Sequence, residues 1–414
     1  MKSAAGIPEN RLCDPLTGPA RTLDYANRKE EAAMTSRERL LTVIRGEIPD
    51  CVPVAPDTSN MIPVKMTGRP FWDIYLYEEI PKWKAYIDCV KYFGFDSLMD
   101  GYVPIRFDEL GQIDYDRREA IVKRTEDQII TRVYRKANGR IFWDNHVSFY
   151  FIGNPPVHGV PIEKAGVDPT PNHFETVEKR NPYAGIEGEA LLKLVKEEMG
   201  DHGLVGVSCG GSVFIGSEEQ IYEYFDYPER YEERSRQRLH DSEVYFRKLM
   251  SLETRPDFIC TGGSGTLVYQ TVETFRKLAL PVVKRVTQLC KEYGVPSHIH
   301  SCGPEKELVR ICHDETDLTI IDPLEIPPMG DCNLRELKRL YGDKLVLKGN
   351  LHTTDVMLNG SVEDVVRASR QAIDDAAEGG RFILSTGDQC GRDTPEENIF
   401  AMIETARTYG RYAK

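Results

Sequence analysis

The chain lacks several features that would classify a protein at once. Nothing in its 414 residues approaches the ~18 consecutive apolar residues of a membrane-spanning helix. It lacks a basic excess: 53 Lys and Arg face 66 Asp and Glu, a formal charge of -13. That removes the electrostatic footprint of a nucleic-acid binder. Its 10 cysteines include no C-x-x-C pair and form no dense framework. A chain this long does not need disulfide staples, so a reducing, cytoplasmic compartment is expected. The opening residues lack the apolar core of a secretory signal. Residues 1–33, interrupted by Pro8, Pro15 and Pro19, read as an irregular arm that packs on the body or on a second subunit of a homodimer.

What is present is a soluble composition, 40% hydrophobic and 29% charged, with a regular alternation of strands and helices. "TSRERLLTVIRGE" has a capping Ser or Thr at its start and Gly46 at its end, which predicts a short helix. Compact apolar runs near residues 52, 98, 204, 257, 296, 318, 345 and 382 read as strands, each leading to helix. Helices are expected over about 70–94 and 271–293, and Thr394-Pro395 should cap and begin the last one. Eight such units predict an α/β fold, a closed (β/α)8 TIM barrel over residues 34–414. A doubly wound open sheet fits less well, because no G-x-G-x-x-G follows the first strand. The segment about 106–180 breaks the rhythm. "AIVKRT", "QIITRVYRK" and "RIFWDNHVSFYF" alternate as strands, with "ANGR" as a hairpin turn. This predicts an inserted β-rich subdomain, ending in a proline-rich loop.

In a barrel of this kind the chemistry lies at the C-terminal ends of the strands. The polar residues there are Asp57, Asp100, Cys209, Cys260, His300, Cys302, Glu325, His352, Asp388 and Cys390. In "PSHIHSCGP", His298, His300 and Cys302 share one face of a strand and its extension. His300 and Cys302 reach the mouth, whereas His298 falls one pleat lower, as a hydrogen-bonded residue of the packed interior. Imidazole and thiolate are preferred zinc ligands, and three protein ligands with an open fourth position form a catalytic site. Cys390, in a loop that Gly387 and Gly391 free to fold inward, supplies the third. Cys209, Cys290 and Cys312 read instead as buried small hydrophobes. "TGGSG" at 261–265 is either an anion-binding turn or a tight strand-to-loop turn.

"TSRERLLTVIRGEIPDCVPV", "GVPSHIHSCGPEKELV", "GDKLVLKGNL" and "GGRFILSTGDQCGRDTPEENIFAM" resemble the uroporphyrinogen decarboxylase superfamily. The resemblance runs from about residue 35 to the end, apart from the insert, and implies the same barrel. One branch decarboxylates porphyrinogens and carries an arginine-rich stretch after the first strand. Here "GRPFWDIYLY" keeps Arg69 and Trp72 but not the other arginines. The other branch comprises corrinoid-dependent methyltransferases, whose H-x-C-G and late cysteine match His300, Cys302, Gly303 and Cys390. That match implies zinc as cofactor and methyl transfer between a small methylated substrate, or a thiol acceptor, and the cobalt of a separate corrinoid protein. The aromatic-rich insert inclines the donor toward an aryl methyl ether. Glu325, as a proton donor or an additional zinc ligand, His352, as a general acid, and Asp100, against the substrate or its leaving group, are expected as catalytic groups, and Asp57, Cys260 and Asp388 as substrate-binding ones. A decarboxylase, and a non-catalytic barrel with structural zinc or none, are the alternatives.

Overall fold

The computed structural model describes residues 33–107, 110 and 117–413. The arm expected over residues 1–33 lies outside them except for its last residue. Seven parallel strands form one sheet, in chain order: Ser97–Met99, Gly203–Ser208, Phe258–Cys260, Ser297–His300, Ile320–Asp322, Val346–Leu351 and Phe382–Thr386. Residues 52–55 close it. Ala55 donates its amide to the Leu384 carbonyl at 2.8 Å, while the Val54 carbonyl accepts from Asp96 at 2.8 Å, just before the second strand. The eighth stave is therefore held on both edges, and the (β/α)8 barrel expected from the sequence is formed. These strands are short and rich in Ile, Val and Leu because both faces are covered, by helices outside and side-chain layers inside.

The helix Ser36–Ile44 plugs the bottom. Thr35 caps it with a reciprocal box: its side chain accepts from the Glu38 amide, and Glu38 accepts from the Thr35 amide. Leu40, Val43 and Ile44 pack against Leu204, Phe258, Ile320, Val346 and Ile383 of the barrel strands. Arg37 reinforces the contact through a 2.6 Å ion pair to Asp257. With the bottom sealed, the other end of the barrel is the one free to hold a site.

Three local expectations are corrected. The helical stretch 70–94 is two helices, Phe71–Tyr75 and Lys82–Phe93. Pro81 separates them, because it excludes the residue before it from helical geometry. The helix near 271–293 contains a π turn, Phe275–Ala279, before Leu280–Tyr293. Pro281 lacks the amide that would continue the α ladder, and the wider turn absorbs the loss. The last helix starts at Glu396 with Pro395 as its N-cap and no side-chain cap, one residue later than the Thr394-Pro395 pattern predicts.

The insert forms a five-stranded antiparallel sheet. Asn138 and Gly139 turn its central hairpin, both with positive φ (50° and 72°), as a tight two-residue loop requires. The proline-rich stretch expected as loop also carries a strand, Val157–Pro161, and a short helix, Ile162–Ala165. Ile121, Ile129 and Tyr150 of this sheet bury themselves against Leu76 and Tyr77, which fixes the insert to the segment after the first strand. Among the described residues no helix is long and apolar enough to cross a membrane.

Candidate active site at the barrel mouth

Parallel register builds the site. Asp322 ends the sixth barrel strand and pairs with His300 of the fifth, while Lys348 enters from the seventh. The Asp322 carboxylate is 1% exposed. Its Oδ1 lies 2.9 Å from His298 Nε2 and 3.1 Å from His300 Nδ1, and its Oδ2 forms an ion pair with Lys348 Nζ. Burial alone would raise this carboxyl. The Lys348 ammonium and the two imidazoles outweigh burial and hold it well below the usual carboxylate range.

With Nδ1 committed to Asp322, His300 turns Nε2 toward the mouth, 3.7 Å from Asp388 Oδ1. Burial opposes a charged ring, but the Asp322 carboxylate prevails and His300 is pushed up to about 11. A carboxylate behind an imidazole makes the outward nitrogen a stronger donor and fixes its direction. Cys302 follows two residues on, its Sγ 2.8 Å from Ser264 Oγ. One donor atom each from His300, Cys302 and Asp388 lies within 4.8 Å of the others. Ser264 belongs to the "TGGSG" loop, and that loop is a close-approach turn. A Cβ on Gly262 would stand 2.5 Å from the His300 amide nitrogen.

A cavity of about 310 Å³ opens beside this group. Asp57, Asp100, Tyr86, Tyr102, Cys260 and His298 line much of it. The Asp57 side chain accepts from the Ser59 amide at 2.8 Å. Asp100, Cys260 and His298 form a second set whose donor atoms lie within 4.8 Å of one another. His298 is buried and hydrogen-bonded, as expected, yet it also borders the cavity. Among the described residues that line the cavity, none comes from the insert. Its aromatic side chains, which had inclined the substrate toward an aryl ether, lie elsewhere.

The other expected residues are placed as follows. Glu325 sits behind the loop of Cys302, accepting from the Gly303 amide at 2.5 Å, and burial raises its carboxyl. His352 caps the turn Thr353–Leu358: its Nδ1 accepts from the Thr354 and Asp355 amides, and the residue is not part of the cavity lining. Cys390 is 0% exposed, and burial pushes its thiol up to about 12. Its backbone amide is tied to the Asp57 carbonyl at 2.8 Å. The donor within reach of His300 and Cys302 belongs to Asp388, two residues earlier. Cys209, Cys290 and Cys312 are buried, as expected.

Sequence reasoning passed over Asp322, Lys348, Ser264 and the buried Glu305. Glu305 accepts from the Leu324 amide at 2.7 Å, and burial drives its carboxyl well up. The signal for two of them was legible: an acid closing the run "TIID" and a lysine inside "LVLKGN" are charges in strands that are otherwise apolar.

An eight-stave parallel barrel with an imidazole, a thiol and a carboxylate gathered at the strand ends defines a TIM-barrel protein with its chemistry at the C-terminal face. Residues 265–409 match the family model described as uroporphyrinogen decarboxylase (URO-D), a span that contains His300, Cys302, Asp388 and Cys390. The methylcobamide:CoM methyltransferase MtbA of Methanosarcina mazei is 29% identical over 139 residues, 33% of this chain and 37% of that protein. The methylated-thiol–coenzyme M methyltransferase of the same organism is 28% identical over 138 residues, 33% of this chain and 34% of that protein. The chain thus aligns with only about a third of the length of these relatives. A methyltransferase structure from Methanosarcina mazei shares the fold, with a TM-score of 0.60 over 91% of this chain and 99% of that one at 15% identity. These matches bear out the resemblance to the uroporphyrinogen decarboxylase superfamily, on its corrinoid-dependent methyltransferase side.

Proposed function

We propose that the protein is a methyltransferase that exchanges a methyl group between a small substrate and the cobalt of a separate corrinoid protein, with zinc held at His300 and Cys302. One observation carries the reading. Residues 265–409, the segment that matches the uroporphyrinogen decarboxylase family model, gather His300, Cys302 and Asp388 at the barrel mouth, and the relatives of this chain that are named for their activity are corrinoid-linked methyltransferases. The donor set fits zinc: one imidazole nitrogen, one sulfur and one oxygen, with Asp322 bonded behind the imidazole. Asp388 is the third donor in this arrangement, and Cys390, which the family pattern implies, stands two residues away with its thiol buried.

When bound there, zinc supplies Lewis-acid activation of the atom that gives up or takes the methyl group. The chain's own residues do the rest. Asp322 fixes the His300 ring, and Lys348 balances the charge of Asp322 so that the hub stays ionised in a buried place. Ser264 positions the Cys302 sulfur. Asp57, Asp100, Tyr86 and Tyr102 bind the substrate in the cavity, whose volume suits a single ring or a short chain. Glu325, whose carboxyl burial raises, stands behind the Cys302 loop as the group assigned to pass a proton to a leaving group. The relatives' names include coenzyme M and a methylated thiol, and the aryl methyl ether that the insert suggested finds none of the insert's described aromatic side chains at the cavity.

The test mixes the full chain with a reduced corrinoid protein and a panel of methoxylated aromatics, methylated amines and methylated thiols. Conversion of the Co(I) absorption to methyl-Co(III) with one substrate class, lost in Cys302→Ala, supports the reading. No conversion with any of them, together with no demethylation of methyl-Co(III) by thiols, overturns it. Release of carbon dioxide from a porphyrinogen would establish the decarboxylase alternative instead.

A further inference from the structure

The group formed by Asp100, Cys260 and His298 has no metal role in the proposed chemistry, which uses only Asp100 of the three, as a substrate contact, and its construction repeats that of the His300 group. Asp322 Oδ1 accepts from both rings, from His298 through Nε2 and from His300 through Nδ1. A ring that donates one N–H to a carboxylate keeps a lone pair on its other nitrogen. For His298 that nitrogen is Nδ1, which is buried and without a hydrogen-bond partner, in a residue 5% exposed. A buried polar atom left unpaired is rare enough to require a cause.

The neighbours supply one. Cys260 is the register partner of His298 across the adjacent strand, so the parallel ladder itself brings thiol and imidazole side by side. Asp100, from the end of the second strand, completes a set of nitrogen, sulfur and oxygen donors within 4.8 Å. All three border the cavity, which gives an entering ion a path. From this we infer that Asp100, Cys260 and His298 form a second metal site, deeper in the barrel, for zinc or a divalent ion of like softness. One carboxylate, Asp322, then orients the imidazole ligands of two metal sites. Binding displaces the Cys260 thiol proton to solvent as the sulfur joins the ion. The inference needs no methyl transfer, so it stands or falls separately from the proposed activity.

The experiment uses the full chain, stripped with a chelator and dialysed against zinc, with metal content measured per chain. The wild type is expected to hold two equivalents, and Cys302→Ala combined with Cys390→Ser to retain one. Loaded with cobalt(II), that double variant should keep a thiolate-to-cobalt charge-transfer band, and adding Cys260→Ser should abolish it. Asp100→Asn, which preserves side-chain volume, should weaken the retained ion at least tenfold and serves where Cys260→Ser fails to fold. No metal and no thiolate band in the Cys302→Ala, Cys390→Ser protein overturns the inference, whatever the wild type holds at the mouth. So does a thiolate band that survives Cys260→Ser.

Discussion

Asp322 and Lys348 form an ion pair buried at the centre of the barrel, with the carboxylate 1% and the lysine 7% exposed. Two charges at this depth are tolerable only as a pair. Lys348→Met therefore leaves Asp322 without its ammonium partner, with only the two imidazoles to offset its burial, and should lower unfolding free energy by up to about 3–5 kcal/mol. Urea denaturation of the variant measures the loss. Asp322→Asn should act differently, loosening both histidines and weakening zinc about 10–100-fold, as is usual for a carboxylate behind a ligating histidine.

The identity of the third donor beside His300 and Cys302 is open to direct measurement. Competition with a chromogenic chelator should show Cys302→Ala and Asp388→Asn each weakening the zinc at the mouth by about tenfold or more. Cys390→Ser should leave that affinity nearly unchanged, because its sulfur is buried and outside the group. A large loss in Cys390→Ser with none in Asp388→Asn would return the role to Cys390.

Gly262 is a steric requirement of the His300 position. Gly262→Ala puts a methyl group 2.5 Å from the His300 amide nitrogen and 2.7 Å from its carbonyl oxygen, both backbone atoms that cannot rotate aside. The variant should lose about 1–3 kcal/mol of stability and bind zinc more weakly than the wild type. Thermal unfolding and metal analysis on one preparation read both effects. A variant as stable as the wild type would show that the two loops separate without strain.

Asp257, just before the fourth barrel strand, ties down the helix below the barrel through Arg37 at 2.6 Å and the helix Gly188–Met199 through Lys196 at 2.9 Å. Burial would raise its carboxyl, but these partners hold it below the ordinary value. A carboxyl lowered in the folded state stabilises the fold above its unfolded pKa, roughly 4. That contribution is lost as pH falls through the lower folded value. Asp257→Asn should therefore destabilise the protein at pH 7, with the gap to wild type closing in acid below about pH 4. Denaturation curves at the two pH values test it; an unchanged gap would remove Asp257 from the account.

The barrel was legible because its signal is repeated. Eight apolar runs with helices between them allow few topologies, and short parallel strands leave little choice about which end is the mouth. His300 and Cys302 were legible for the same reason: once the fifth strand is placed, period-two alternation assigns their face. Helix interruptions were less legible. Pro81 and Pro281 stood in the sequence, but one separates two helices and the other is absorbed in a π turn. That difference depends on packing around the break.

By itself the sequence determined the order of the strands, the end that carries polar residues, and the H-x-C pair that points outward. Tertiary structure alone decided which residues meet across strands. Asp322, Lys348 and His298 come from three strands, and their joining is set by lateral register, which no local pattern encodes. That the Asp388 carboxylate lies within reach of His300 and Cys302 is likewise a matter of how one loop lies: the Cys390 amide in that loop is hydrogen-bonded to the Asp57 carbonyl, more than 300 positions earlier in the chain. Local periodicity fixes where a side chain points along its own strand, whereas only the closed barrel fixes what it points at.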